Sequence, residues 1–250
     1  MVFLKKKKMF KKFLCFVIIL ISQQIIVNGD CDPSNLKKLS CDCENSNKEI
    51  TCFGLQKSFV ASSPEWDQFK SDKDLIELSF GKSFGYLPFH MFSSLENLEL
   101  FKMWRLQVTT IPTNAFKNMK HLREVFIYDN RQLTTIGKQA FMNLPSLKEL
   151  SLYWNQISSI EVDSLYEVPN LEVLNLSWNQ IKEIPKGFFD NLLQLKKLYF
   201  EYNPIKHLDL QVMAPIIPNF MDKDSALMLY GKFLFLEYIF YLFFNLYLSI

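Results

Sequence analysis

The sequence predicts an α/β solenoid, short parallel strands stacked coil upon coil, and three observations predict it. An apolar spelling, L-x-x-L-x-L-x-x-N-x-L-x-x-I/L-P, recurs along the chain. Its starts, Leu75, Leu98, Leu122, Leu147, Leu171 and Leu195, lie 23, 24, 25, 24 and 24 residues apart. The ninth place of the last four copies is Asn130, Asn155, Asn179 and Asn203. A step of this size marks a unit that buries its apolar residues only against its neighbours. The expected shape is a right-handed horseshoe with a parallel sheet on the concave side and a mostly irregular convex side.

The chain of 250 residues opens with a segment to be set apart before its bulk properties are read. Residues 1–29 carry Lys5 to Lys8, Lys11 and Lys12, then an apolar run from Phe13 to Ile21, and end at the small residue Gly29. That order reads as a secretory signal peptide. An N-terminal membrane anchor is the alternative, with an apolar run short of the roughly 20 residues a span needs. Without this segment six lysines and no acids are lost, so the balance of basic and acidic residues moves from 28 − 26 = +2 to 22 − 26 = −4. A nucleic-acid binder should carry its basic excess in the folded part, so no nucleic-acid partner is expected.

Residues 30–74 hold Cys31, Cys41, Cys43 and Cys52, an even set in a chain expected to meet an oxidising compartment. Disulfides are the first reading. Zinc is the competing one, although C-x9-C-x-C-x8-C lacks the paired C-x2-C knuckles of thiolate sites. A stack of coils ends in an open slice of core, and a terminal unit with a polar outer face closes it. Residues 53–74 continue this cap or form a degenerate first repeat.

Residues 75–221 are the repeats. In a strand successive side chains face opposite ways, so the fourth and sixth places both point inward. These are Leu78 and Phe80, Phe101 and Met103, Val125 and Ile127, Leu150 and Leu152, Leu174 and Leu176, and Leu198 and Phe200. An asparagine at the inward-turning ninth place is expected to satisfy backbone groups of the adjacent coil. Ser83 and Leu106 stand there in the first two repeats, which should turn more loosely. Phe92, Phe116, Phe141, Leu165 and Phe189 should fill the convex side of the core, and Arg131-Gln132 adds one residue to the third repeat, expected as a bulge.

The cysteine cluster and the repeat wording together resemble extracellular leucine-rich-repeat proteins with a cysteine-rich N-terminal cap, over residues 31 to about 215. The resemblance implies that Cys31 pairs with Cys43 and Cys41 with Cys52; the residues alone leave all three connectivities open. The stretches IPTNAFKNMKHLREVFIYDN and LPSLKELSLYWNQI are similar to arthropod secreted proteins resembling the non-catalytic subunit of a shrimp luciferase. That implies a second function class, a scaffold for a separate catalytic chain. A fold of this kind does not fix its partner.

Residues 222–250 depart from the pattern. Pro218-Asn219-Phe220 imitates Pro169-Asn170-Leu171 as if a seventh repeat were opening, and then the wording stops. Phe233 to Ile250 is an apolar run with eight aromatics, broken by Glu237 and Asn245. A divergent tail or gene-model end is the preferred reading and a membrane segment the alternative.

On the concave face the third, fifth, seventh and eighth places leave the sheet. They supply Trp104, Arg105, Phe126, Tyr128, Tyr153, Trp154, Trp178, Tyr199 and Tyr202 as candidate partner-binding residues, with Lys102, Asp129 and Glu201 among them. Aromatic residues beside an arginine are common anchors of protein interfaces. The competing reading is that these rings only pack on one another. Asn175-Leu176-Ser177 is the one N-glycosylation acceptor, at the fifth place of its repeat, where a glycan would cover half the stripe. The histidines His90, His121 and His207 sit in different coils with no nucleophile motif beside them, so neither catalysis, a metal nor a cofactor is expected. The chain reads as a secreted, non-enzymatic module that recognises an extracellular protein or glycan, with a membrane-anchored adhesion or receptor ectodomain, held by residues 233–250, as the alternative.

Overall fold

The computed structural model describes residues 41–44, 49–53, 77–81, 89, 92, 95, 97–206, 209–221 and 226–228. In chain order its strands are β1 (Cys41–Glu44), β2 (Glu49–Phe53), β3 (Glu77–Gly81), β4 (Leu100–Trp104), β5 (Thr110–Ile111), β6 (Phe116–Lys117), β7 (Glu124–Tyr128) and β8 (Thr135–Ile136). Then follow β9 (Phe141–Met142), β10 (Glu149–Ser151), β11 (Ser159–Ile160), β12 (Leu165–Tyr166), β13 (Val173–Asn175), β14 (Lys197–Tyr199), the short helix α1 (Leu210–Met213), a 3-10 turn (Ile217–Met221) and β15 (Ala226–Met228).

Nine of these strands form one sheet in the order β1-β2-β3-β4-β7-β10-β13-β14-β15. All neighbours run parallel except β1 and β2, an antiparallel pair at one edge that sets Cys41 opposite Cys52. The register follows the repeat: Phe101 faces Val125, Leu150 faces Val125 and Leu174, and Leu174 faces Leu198. A one-residue slip would turn every apolar side chain outward, so burial of one face fixes this register. Phe101, Val125, Leu150, Leu174 and Leu198 are fully buried, as are the sixth-place residues from Met103 to Phe200. Leu78 and Phe80 enter as backbone partners in β3.

Outside the large sheet each coil is mostly irregular, as expected of the convex side. Two further parallel sheets lie there, β5-β8-β11 and β6-β9-β12. Their strands are only two residues long, and one period places each beside its counterpart in the next coil, so short segments find backbone partners without a strand-like spelling. Along the second of these sheets Phe116 and Phe141 stack with Phe92, with ring centroids 5.5 Å (Phe92–Phe116) and 5.1 Å (Phe116–Phe141) apart, and buried Leu165 and Phe189 continue the row.

The asparagines form the expected ladder. In the preceding coil Asn130 Nδ2 donates to Met103 O, Asn155 to Ile127 O, Asn179 to Leu152 O and Asn203 to Leu176 O, the last three at 2.8 Å. The Oδ1 of Asn179 and Asn203 accepts from the amides of Ile157 and Ile181, two places past the ladder residue of the coil before. The third repeat differs: its Asn130 amide donates to Asn155 Oδ1 of the fourth, and the extra residue is absorbed by Arg131 and Gln132 in an exposed turn. Leu106, which has no side-chain amide, is buried, and its backbone N–H donates to Asn130 Oδ1 of the next coil at 2.9 Å, so the ladder begins at Asn130. Ser83 lies outside the described residues.

The sheet runs past residue 221, where repeat wording stops. Asn219 Nδ2 donates to Leu193 O at 2.9 Å, as Asn170 Nδ2 does to Pro145 O, so Phe220 opens a seventh coil in the place of Leu171. Leu227 then pairs with Leu198. Leu195 to Leu198 is a step of 3 and Phe220 to Leu227 a step of 7, so four inserted residues disguise this coil. The leader expected at 1–29, Cys31, the cap continuation or degenerate repeat expected at 53–74 beyond Phe53, and the apolar run 233–250 lie outside the described residues. Among those described, no helix is long and apolar enough to cross a membrane.

Candidate functional site

The outer face of the nine-stranded sheet carries two columns of aromatic side chains, one per place in the repeat. The seventh place leaves an extended strand, so its side chain lies beside its neighbour one coil away. Trp104 stacks on Tyr128 at 5.9 Å with rings 5° from parallel, and Tyr128 stacks on Tyr153 at 5.2 Å and 14°. All three are half-buried. The column begins on Gly81, the register partner of Trp104: a Cβ at Gly81 would stand 2.4–2.8 Å from three atoms of the indole, so only a glycine lets that ring lie down. In the fifth and sixth coils the seventh place is polar, and there the Ser177 hydroxyl donates to Glu201 Oε2.

The eighth place behaves differently because its backbone does. Arg105, Asp129, Trp154, Trp178 and Tyr202 have φ of 55°, 53°, 56°, 56° and 57°, the left-handed region that bulky residues rarely enter. Here the extended strand ends and the chain turns down to the inward asparagine, and the backbone reversal lifts the eighth side chain off the sheet. Trp154 is 51% exposed, Trp178 50% and Tyr202 47%. Trp178 and Tyr202 stack at 3.8 Å. Hydrogen bonds from the amides of Trp154 to Ser177 O and of Trp178 to Glu201 O hold these turns in register.

Of the sequence candidates, the structure brings Trp104, Tyr128 and Tyr153 together in one column and presents Trp154, Trp178 and Tyr202 in the other. Phe126 and Tyr199 lie half-buried at the fifth place. Asp129 is the correction: read as leaving the sheet, it is only 4% exposed. Its carboxylate accepts from Arg105 Nε and faces Arg131 Nε at 3.8 Å, and two guanidinium groups cover it. The same bond, and then the charge of Asp129, raises the Arg105 pKa above its ordinary value. Burial first, then Tyr153, raises that of Tyr128.

Charge on the rim follows the repeat as well. At the second place Glu99 pairs with Arg123 at 3.5 Å, and Glu172 accepts from both Lys148 and Lys196 Nζ, the latter at 2.9 Å. Those bonds hold the Glu172 carboxyl below the ordinary glutamate range. At the third place Glu149 is pushed up by burial and then by its register neighbour Glu124. His121 is exposed on the opposite side, His90 and His207 lie outside the described residues, and no group of metal-binding side chains occurs among those described.

A repeat protein with an open sheet face is thus defined, and its repeat is a known one. The family model for leucine-rich repeats matches residues 96–157, 120–181 and 169–216. Residues 96–216 are thus a run of leucine-rich repeats. Among solved structures the chain is similar to Drosophila Toll in its complex with Spatzle, with 19% identity and a TM-score of 0.56 over 66% of this chain and 21% of that one. A second similar structure is TLR13 in its complex with ssRNA13, with 22% identity and a TM-score of 0.47 over 62% of this chain and 25% of that one. The chain spans about a fifth to a quarter of the length of these structures, and the likeness to Toll is one of fold. Among curated protein sequences none matches.

Proposed function

We propose that this chain is a secreted, non-enzymatic recognition module that binds an extracellular protein on the outer face of its nine-stranded sheet. One observation carries the reading: Trp154, Trp178 and Tyr202, each about half exposed, rise from consecutive coils of one face. Large aromatic side chains left in water on one surface are the usual mark of an interface, because their burial yields most of the binding energy. Trp104, Arg105, Phe126, Tyr128, Tyr153 and Tyr199 extend the same surface. The acidic balance of residues 30–250 speaks for a protein over a nucleic acid, whose phosphates need basic excess. Toll, of the same fold, is seen in complex with the protein Spatzle.

Export rests on residues 1–29, and it requires the cysteines to be oxidised. The pairing of Cys41 with Cys52 is supported by their facing register across β1 and β2, leaving Cys31 for Cys43.

The test is the double substitution Trp154→Ala/Trp178→Ala in secreted protein, with binding measured against partners captured by the unmodified chain. Binding is lost, while unfolding stability changes by only about 1 kcal/mol, because both rings are half exposed and outside the core and only the Trp178–Tyr202 stack is removed. A stability loss several times larger with binding retained would mean that the rings only pack. Co-purification of a catalytic chain with the captured material would make the module an enzyme's scaffold subunit.

A further inference from the structure

We propose that Asn175 carries an N-linked glycan whose first sugars lie against Trp178 and Tyr199, shielding the C-terminal half of the aromatic face. The inference goes beyond partner recognition and its readout needs no partner.

The argument starts from one amide. The four ladder asparagines spend their Nδ2 groups on buried carbonyls. Asn175 does not: its Oδ1 accepts from the Ser177 amide at 3.0 Å, and its Nδ2 donates no hydrogen bond among the described residues. Its residue is half-buried at the fifth place, on the outer face, one residue from the inward Leu174 and Leu176. The bond from the Ser177 amide engages Oδ1 and leaves Nδ2, the atom that a glycan would occupy, for the modification. The acceptor triplet Asn175-Leu176-Ser177 is complete. In the folded chain Ser177 is 7% exposed and its hydroxyl is held by Glu201, so transfer belongs to the unfolded chain during export.

What such a glycan would meet is fixed by register. Tyr199 is the partner of Asn175 one strand away, about 4.8 Å distant. Trp178 is three residues along, past the end of β13, where the left-handed backbone leaves half of the indole exposed. The C–H-rich face of a pyranose packs on the electron-rich face of an aromatic ring, and the covalent link removes the entropy that a free sugar would lose. The half of the Trp178 surface that is open in the bare chain is then covered. A protein partner that uses this half of the face must displace the glycan or meet the form that lacks it.

The experiment uses full-length Trp66→Phe/Trp104→Phe protein secreted from insect cells, which leaves Trp154 and Trp178 as reporters. Peptide mass spectrometry locates the glycan, and acrylamide quenching of tryptophan emission is measured before and after native deglycosylation. The expected result is a glycan on Asn175 and a quenching constant that rises about 1.5-fold on its removal, as one of two indoles is uncovered. Secreted Asn175→Asp protein, which has the residue the glycosidase leaves, gives the higher value with no enzyme. An unmodified Asn175 in the secreted chain overturns the proposal, and so does a glycan whose removal leaves quenching unchanged. Loss of partner binding in the tryptophan-to-alanine variant tests the recognition reading separately, and neither failure implies the other.

Discussion

The two aromatic columns of this face have similar side chains and opposite fates. Trp104, Tyr128 and Tyr153 lie down on one another, whereas Trp154, Trp178 and Tyr202 stand about half in water, and the columns are one residue apart in the repeat. Residue type does not separate them, since each holds tryptophan and tyrosine. Backbone conformation does: among the described residues the eighth place has a positive φ in all five coils and the seventh in none. Non-glycine residues there cost on the order of 1 kcal/mol each, offset by the asparagine that follows and bonds two coils together. The exposed column is therefore a by-product of the turn that starts the ladder, and evolution has only to choose what it presents. At Asp129 the choice is a carboxylate folded under Arg105 and Arg131, and presentation ends.

The largest effect that would break this comparison lies beneath both columns. Asn155 is 2% exposed; it donates to Ile127 O and Leu152 O and accepts from the Asn130 amide. Asn155→Ala strands those buried groups at once, a loss of about 3 kcal/mol, seen as a fall in the urea midpoint. Because the turn at Trp154 depends on it, the Trp154 emission should shift along with Tyr128–Tyr153 packing. A variant of native stability would show that the ladder does not hold the turns.

A smaller effect separates the columns. Gly81→Ala pushes a methyl into the Trp104 indole, costing about 1–2 kcal/mol, and tips that ring off Tyr128. Near-ultraviolet circular dichroism from the stacked rings should fall, while partner binding through Trp154 and Trp178 persists. Unchanged dichroism would mean that the first column does not rest on the glycine.

The period, the inward apolar places and the asparagine ladder were legible in the sequence because they are side-chain facts repeated at fixed offsets. Three features were not. The convex sheets rest on backbone pairing of two-residue segments such as Thr135–Ile136, which carry no alternation to read. The seventh coil hides behind four extra residues between Phe220 and Leu227. The split between columns depends on a dihedral angle, and a bulky residue such as Trp154 or Trp178 advertises no left-handed turn. One signal was available for the first column: Gly81 stands at the seventh place of its repeat, where the next three copies have aromatic residues.

The smallest expected effect concerns the rim at the N-terminal ends of the strands, across the face from the exposed column, where Glu172 bridges Lys148 and Lys196. Its folded carboxyl titrates below the unfolded value, so its contribution to stability is present above the ordinary glutamate range, about 4.3, and is lost as pH falls through the depressed value. Glu149 runs the other way: burial and Glu124 raise its pKa, so its ionised form opposes folding at neutral pH, and acid relieves that cost. The two trends cross in the wild-type profile, and the Glu172→Gln variant separates them because it keeps Glu149. At pH 7 the variant should be less stable by about 0.5–1 kcal/mol, a modest figure because the bridge is partly solvated and salt screens it. The difference should shrink as pH falls below about 4 and vanish once Glu172 is protonated in both states. A gap that stays constant down to pH 2, or that salt leaves untouched, would mean that the side chain packs against the rim and its charge contributes nothing.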